Sequence, residues 1–556
     1  MPKPYTRRDF IKIAGLSGIA LSVGCRVTQP LSCIIRQGLI FDGTGKDGVV
    51  ADIGIRGDQI VAIGNLAQAK ADKVIEAQGK VVAPGFIDIH SHTDIELLVN
   101  PLAESKIQQG ITTELCGNCG SSYFPMNEED RVSASASLTE QYGIAVDWTT
   151  LAGFFERLEK QGIGINYATL TGHGDLRARV VGKMDVQPSP EQLSEMKRVL
   201  IETLEQGSFG LSTGLEYAPG SYAKTEELVE LCREVQKRGG LYATHTRNED
   251  AEIISAIEEA LQIARDAQVR TEISHLKACY EPSWGLLEPA LELINRARDN
   301  GLSVQADRYP YTAFSTGLSA YLPLWARQGS TTEILQRLQD KLERAKIQEH
   351  AESRGKLIGG WKNVVISSIV SEKNRYWMGR SIEEAALEAG KDPFDFIAWL
   401  LTEEECRVGI VGFAMTEENL AKVLTQPWVS IGSDGSAVAP SGPLSKNKPH
   451  PRAYGTFPRV LGLYCREKRL FPLAEVIHKM TWLPAEFIGL KQRGKIAEGF
   501  FADLVIFSSE TIIDQATYVD PHQFPVGIDQ VFVNGQIVVQ QQEHTRATPG
   551  KVLRSV

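Results

Sequence analysis

Short β-rich apolar runs alternate with stretches of helical periodicity along most of the chain. Eight such runs fall at about 82–89, 111–115, 165–171, 208–213, 241–244, 271–274, 303–306 and 429–433. Eight strand–helix units in succession predict an α/β architecture, a (β/α)8 TIM-type barrel. The best-defined unit has Thr225 as N-cap ahead of Glu226 and Glu227, runs through Leu228, Val229, Leu231, Cys232 and Val235, and stops at Gly239 and Gly240. The next helix carries Ile253, Ile254, Ile257, Ala260, Leu261 and Ala264 on one face. A single βα unit therefore separates a strand ending at His245 from one ending at His275.

Outside the barrel, 31–43, 52–64, 502–507 and 531–538 read as strands with glycine turns. The two chain ends are expected to pair into one small β-sandwich domain. Between the seventh and eighth strands, 318–411 is too long for one crossover and predicts a helical insertion over the mouth. The division expected is a signal segment at 1–30, the β-sandwich at 31–82 and 486–550, and the barrel at 83–485.

Composition leaves this picture in place: 42% apolar and 23% charged residues over 556 positions describe an ordinary globular chain. A net charge of −10, with no long basic run beyond the first residues, argues against nucleic acid as a partner. Eight cysteines over this length do not make a disulfide framework.

The order Thr6-Arg7-Arg8-Asp9-Phe10-Ile11-Lys12, ahead of the apolar run 13–24, resembles a twin-arginine export signal and predicts a periplasmic or cell-envelope location. Leu21-Ser22-Val23-Gly24-Cys25 looks like a lipoprotein cleavage box, but its leucine sits one position too far from the cysteine. Membrane attachment through lipidated Cys25, ordinary cleavage and an uncleaved segment all stay open.

A barrel gathers the C-terminal ends of its strands around one mouth. The predicted strands end near His90, Cys119, His173, Gly214, His245, His275, Asp307 and Asp434, an array that core packing does not explain. His90 and His92 lie two apart at a strand end, so both imidazoles project to the same side, and with His245 and His275 they predict a metal site. Cys119 lies in Gly117-Asn118-Cys119-Gly120, whose glycines let backbone and thiolate approach a ligand closely. Cys116 reads as a buried strand residue, because a zinc ribbon would need a second Cys-x-x-Cys pair. Asp434, in Gly432-Ser433-Asp434-Gly435, would be a plain turn aspartate elsewhere. At the eighth strand end it would face the metal from the opposite wall of the mouth and is expected to be the proton-handling carboxylate.

Together these residues resemble the amidohydrolase superfamily, and within it the D-aminoacylase (N-acyl-D-amino-acid deacylase) branch. The stretches that carry the resemblance include GFIDIHSHTD at 85–94, QGITTELCGNCG at 109–120, GLSTGLEYAPG at 210–220, THTRNE at 244–249 and ISHLK at 273–277. Others are YPYTAFST at 309–316, IGSDG at 431–435, HPRAYGTFPRVLG at 450–462 and RGKIAEGFFADLVIF at 493–507. The resemblance implies Zn2+ held tightly by Cys119, His245 and His275, with His90 and His92 reaching toward a weaker or second metal. It implies that Lys277, Tyr309, Ser315 and Arg452 grip the substrate carboxylate and orient the scissile amide, and that Asp434 is catalytic. A zinc ion brings the pKa of water from about 15.7 to about 7 and polarises a carbonyl, which suits hydrolysis of small N-acyl amino acids, those of the D series foremost. His173 is a candidate for lining the acyl pocket, and His350, His478, His522 and His544 read as background.

Two other enzyme readings use the same barrel: a cyclic-amide hydrolase of the dihydroorotase or hydantoinase kind, against which the Gly-Asn-Cys-Gly stretch argues, and a dipeptidase. From another class, an inactive scaffold is expected to lack metal ligands or the strand-eight aspartate, and this chain has both.

Overall fold

The computed structural model describes residues 30–555; Arg7, Arg8 and Cys25 lie outside the described residues. Eight parallel strands form the barrel: Phe86–Asp88, Ile111–Cys116, Asn166–Thr169 continued by Thr171–Gly172, Gly210–Gly214, Leu241–His245, Arg270–Ile273, Val304–Arg308 and Val429–Ile431. The first and eighth close the ring through a bridge between Ser91 and Gly435, with Asp434 N donating to His90 O at 2.7 Å. All eight predicted runs thus hold a barrel strand.

Lys106 locks this seam. It is fully buried, and its Nζ lies 2.7 Å from Asp88 Oδ2, 2.8 Å from Ser433 Oγ and 2.7 Å from Gly435 O. Burial alone would discharge the amine, but the charges of Asp88 and Glu114 raise its pKa above the ordinary lysine value. The cation ties strand one, strand eight and the loop bearing Asp434 together from beneath the mouth.

The run at 82–89 divides in two. Val81–Pro84 pairs antiparallel with Leu504–Phe507 in the end domain, and only Phe86–Asp88 enters the barrel. The break falls at Gly85, where a Cβ would lie 2.2 Å from Thr112 Oγ1, so only glycine lets the chain cross from one sheet to the other. The chain ends build a nine-stranded β-sandwich sheet, in which 31–40 pairs with 49–56, 71–76 and 81–82 around a core of Ile35, Ile53, Ile60, Leu504 and Phe532.

The helices follow their apolar stripes: Ile253–Ala267 buries Ile253, Ile257, Ala260, Leu261 and Ala264. Thr225, however, does not cap its helix. Lys224 occupies the N-cap without a side-chain bond, and Thr225, one residue inside the helix and so past the capping position, donates Oγ1 to Glu259 Oε1 at 2.8 Å.

The insertion between strands seven and eight carries a three-stranded antiparallel sheet, Ala313–Gly317, Val408–Phe413 and Val364–Ile369, beside its helices. It has its own apolar core around Leu318, Ile347, Phe394 and Leu400. Ser315, Tyr321, Arg327 and Arg354 from this insertion line the cavity at the barrel mouth. Among the described residues no helix is long and apolar enough to cross a membrane.

Candidate metal centre

The sequence-predicted ligands meet at the C-terminal end of the barrel, around a cavity of about 520 Å³. Three of them leave their strands in the left-handed region: Cys119 at φ 51°, His275 at φ 37° and Asp434 at φ 52°. Each such residue costs of order 1–3 kcal/mol and persists where the surrounding fold enforces it. The glycines beside Cys119 let the backbone approach its neighbours closely. A Cβ on Gly117 would lie 2.2 Å from Leu170 O, and one on Gly120 would lie 2.8 Å from Gly214 N. They let the loop after strand two lie flat against strands three and four, which brings the thiolate to the axis.

Second partners fix which ring nitrogens face inward. His90 Nδ1 is 2.9 Å from Asp307 Oδ2, which turns Nε2 toward Cys119 Sγ at 3.4 Å and Asp434 Oδ1 at 3.6 Å. His275 Nδ1 is 3.0 Å from Glu249 Oε1, leaving Nε2 3.5 Å from Cys119 Sγ. His92 Nε2 is 3.1 Å from Asp434 Oδ1, and His245 Nε2 is 3.2 Å from Glu216 Oε2.

Charge is strongly perturbed here. Burial opposes ionisation of Cys119, but the charges of His90 and His275 outweigh it and hold the thiol well below its usual pKa. Burial likewise opposes charge on the imidazoles, yet Asp307 and Cys119 hold His90 well above its usual value, hydrogen bonds to Asp434 and Cys119 raise His92 to about 9, and Glu249 and Cys119 raise His245 to about 10. The protons that this thiolate and these carboxylates hold on the imidazoles stand where a divalent cation can take their place.

The residues fit a divalent transition metal. Donors about 2.0–2.3 Å from an ion at tetrahedral angles stand roughly 3.3–3.8 Å apart, and the Cys119–His90 and Cys119–His275 separations lie in that range. Three overlapping donor sets arise: His90, Cys119 and His275; His90, His92 and Asp434; His245, Glu249 and His275. The buried Nδ1 of His245 has no hydrogen-bond partner among the described residues.

The four predicted substrate-binding residues line the same cavity. Arg452 Nη1 donates to Asp434 Oδ2 at 2.7 Å, and Lys277 Nζ donates to Glu249 Oε1 at 2.5 Å, so each cation already touches a residue of the metal cluster. Tyr309 is fully buried with the Arg452 guanidinium 4.7 Å from its ring centroid, and its hydroxyl has no partner among the described residues. Ser315 also lines a second cavity of about 270 Å³, which shares His92, Asp434 and Arg452 with the first. His173 turns elsewhere: its Nε2 is 2.8 Å from Glu227 Oε1 in a buried network with Arg177.

Sequence reasoning misses Glu249, Glu216 and His450. Glu249 and Glu216 fall inside matched motifs at 244–249 and 210–220, a signal that marks a stretch without assigning a role to each member. His450 Nδ1 accepts from Arg452 N at 3.0 Å, and Nε2 lies 3.0 Å from Ala313 O, pinning the start of the Arg452 helix to the insertion.

A barrel whose mouth gathers four imidazoles, a thiolate and a carboxylate is the architecture of a metal-dependent hydrolase. The amidohydrolase family profile matches residues 73–220 and 380–539. D-aminoacylase of Alcaligenes xylosoxydans xylosoxydans is 35% identical over 526 residues, covering 95% of this chain and 98% of that protein. The crystal structure of N-acyl-D-glutamate deacylase from Bordetella bronchiseptica, complexed with zinc and a phosphonate mimic of the tetrahedral intermediate, superposes with a TM-score of 0.80 at 33% identity, covering 95% of this chain and all of that one. A D-aminoacylase structure concerned with a binuclear metal centre superposes equally well, at 34% identity over 94% of this chain and all of that one. The chain belongs to the amidohydrolase family and, within it, to the D-aminoacylase branch.

Proposed function

We propose that this chain hydrolyses the amide bond of N-acyl-D-amino acids, releasing a carboxylate and a free amino acid. The observation that carries the reading is the position of Asp434, with one oxygen on the metal cluster and the other on Arg452. The similarity to D-aminoacylase and to N-acyl-D-glutamate deacylase supports the substrate class. Cys119, His245 and His275 would hold one zinc tightly, and His90 and His92 a second, weaker one. Zinc so held makes water acidic enough to ionise near neutral pH and polarises the scissile carbonyl.

The chain's own groups do the rest. Asp434 Oδ1 takes the proton of the attacking water and delivers it to the departing nitrogen. Burial disfavours the Asp434 carboxylate, but Arg452 and His275 outweigh that and hold it well below the usual range, so it starts ionised. The remaining N–H groups of Arg452 and the Tyr309 hydroxyl bind the α-carboxylate of the substrate, and Lys277 adds positive charge beside them. A panel of N-acetyl-D- and N-acetyl-L-amino acids, with dipeptides and hydantoins as controls, tests the reading. Turnover of D compounds with little on the others is expected, and turnover confined to dipeptides or hydantoins contradicts it.

Export by the twin-arginine route is part of the same proposal, supported by Arg7 and Arg8 ahead of the apolar run.

A further inference from the structure

Five lysine and arginine side chains line the 520 Å³ cavity. Four are already paired: Lys183 with Asp130 at 2.9 Å, Lys277 with Glu249 at 2.5 Å, Arg354 with Asp250 at 2.5 Å and Arg452 with Asp434 at 2.7 Å. Arg327 is the exception. Its guanidinium makes no hydrogen bond or ion pair among the described residues, and its Nε is buried without a partner. The carboxylate whose field reaches it, Glu216, bonds to His245.

The backbone around Arg327 is held in place. Arg337 Nη1 donates to Ala326 O at 3.3 Å and to Gln328 O at 2.7 Å, Tyr222 Oη donates to Leu324 O at 3.2 Å, and Gly329 N donates to Lys183 O at 3.0 Å. A half-buried cation on a clamped segment, facing a cavity with no protein anion assigned to it, is a binding group whose backbone is already ordered before an anion arrives. Leaving such a charge unpaired costs free energy that a bound anion recovers.

We propose that Arg327 receives a second carboxylate of the substrate, besides the α-carboxylate, so that this chain prefers N-acyl amino acids carrying an additional acidic group. The inference rests on the proposed N-acyl-D-amino-acid hydrolysis. The acidic group sits either on the amino-acid side chain or at the far end of the acyl chain, and both present the same carboxylate to the guanidinium fork.

Two substrate pairs separate these sources: N-acetyl-D-glutamate against N-acetyl-D-leucine, and N-succinyl-D-leucine against N-butanoyl-D-leucine. In the unaltered, zinc-loaded protein the acidic member of one pair has the higher kcat/KM. Arg327→Met lowers that acidic-to-neutral ratio at least about tenfold, mainly through KM, and Arg327→Lys retains part of it. Collapse in the first pair assigns the side chain, and collapse in the second assigns the acyl group. A ratio unchanged within about twofold in both pairs, or a preference of the unaltered protein for the neutral member of both, overturns the role of Arg327 while leaving hydrolysis of D compounds intact. If the unaltered protein hydrolyses no N-acyl-D-amino acid, both this inference and the proposed function fall.

Discussion

Arg452 Nη1 reaches Asp434 Oδ2 at 2.7 Å, while Asp434 Oδ1 faces His92 Nε2 at 3.1 Å. One guanidinium thus fixes which carboxylate oxygen points at the metal cluster, and its remaining N–H groups are available to a substrate carboxylate. Arg452→Ala removes both contacts. We expect kcat to fall and KM to rise, with kcat/KM for an N-acetyl-D-amino acid down at least about tenfold and the preference for a free acid over its methyl ester reduced. Steady-state kinetics on the acid and ester check this. An unchanged acid-to-ester ratio would leave Arg452 as a positioning residue for Asp434 alone.

The seam lysine makes a prediction about stability. Lys106→Met leaves Asp88 buried without its cation, and breaking a buried pair in this way costs about 3–5 kcal/mol. Chemical denaturation of variant and parent should show a loss of that size. A change below about 1 kcal/mol would mean that Ser433 and backbone donors suffice to carry the Asp88 charge.

Metal removal should silence the enzyme reversibly. Dialysis against a strong chelator is expected to remove metal and turnover together, and added zinc should restore both. Cys119→Ala should leave the protein short of stoichiometric metal by elemental analysis. Active protein free of any transition metal would contradict the donor-set reading.

Much of this mouth is legible in the sequence, and the reason is period. His90 and His92 are two apart just past a strand end, the spacing that suggests a common side, and His245 and His275 neighbour each other because one βα unit separates them. What escapes depends on partners brought together by the fold. Lys106 looks like any helix lysine until Asp88 and Ser433 close around it from opposite ends of the chain. Gly85 looks like an ordinary turn glycine until Thr112 lies against it. Arg327 is marked by having no partner among the described residues, and that shows only once every other cation in the cavity has been matched to its carboxylate.

Twin-arginine export is expected from the segment 1–30. Changing Arg7 and Arg8 to lysine should strand the protein in the cytoplasm, as followed by cell fractionation. A variant still found outside the inner membrane would overturn twin-arginine export.

The proton-handling assignment of Asp434 carries the account as a whole. Asp434→Asn keeps the shape and the Arg452 contact on one side but removes the acceptor, so the variant should retain the parent's zinc content and lose turnover by at least about a hundredfold. The decisive measurement is kcat for an N-acetyl-D-amino acid alongside zinc stoichiometry in the same preparation. Full metal with kcat lowered a hundredfold or more is the result expected, and full metal with kcat within a few fold of the parent would contradict the mechanism.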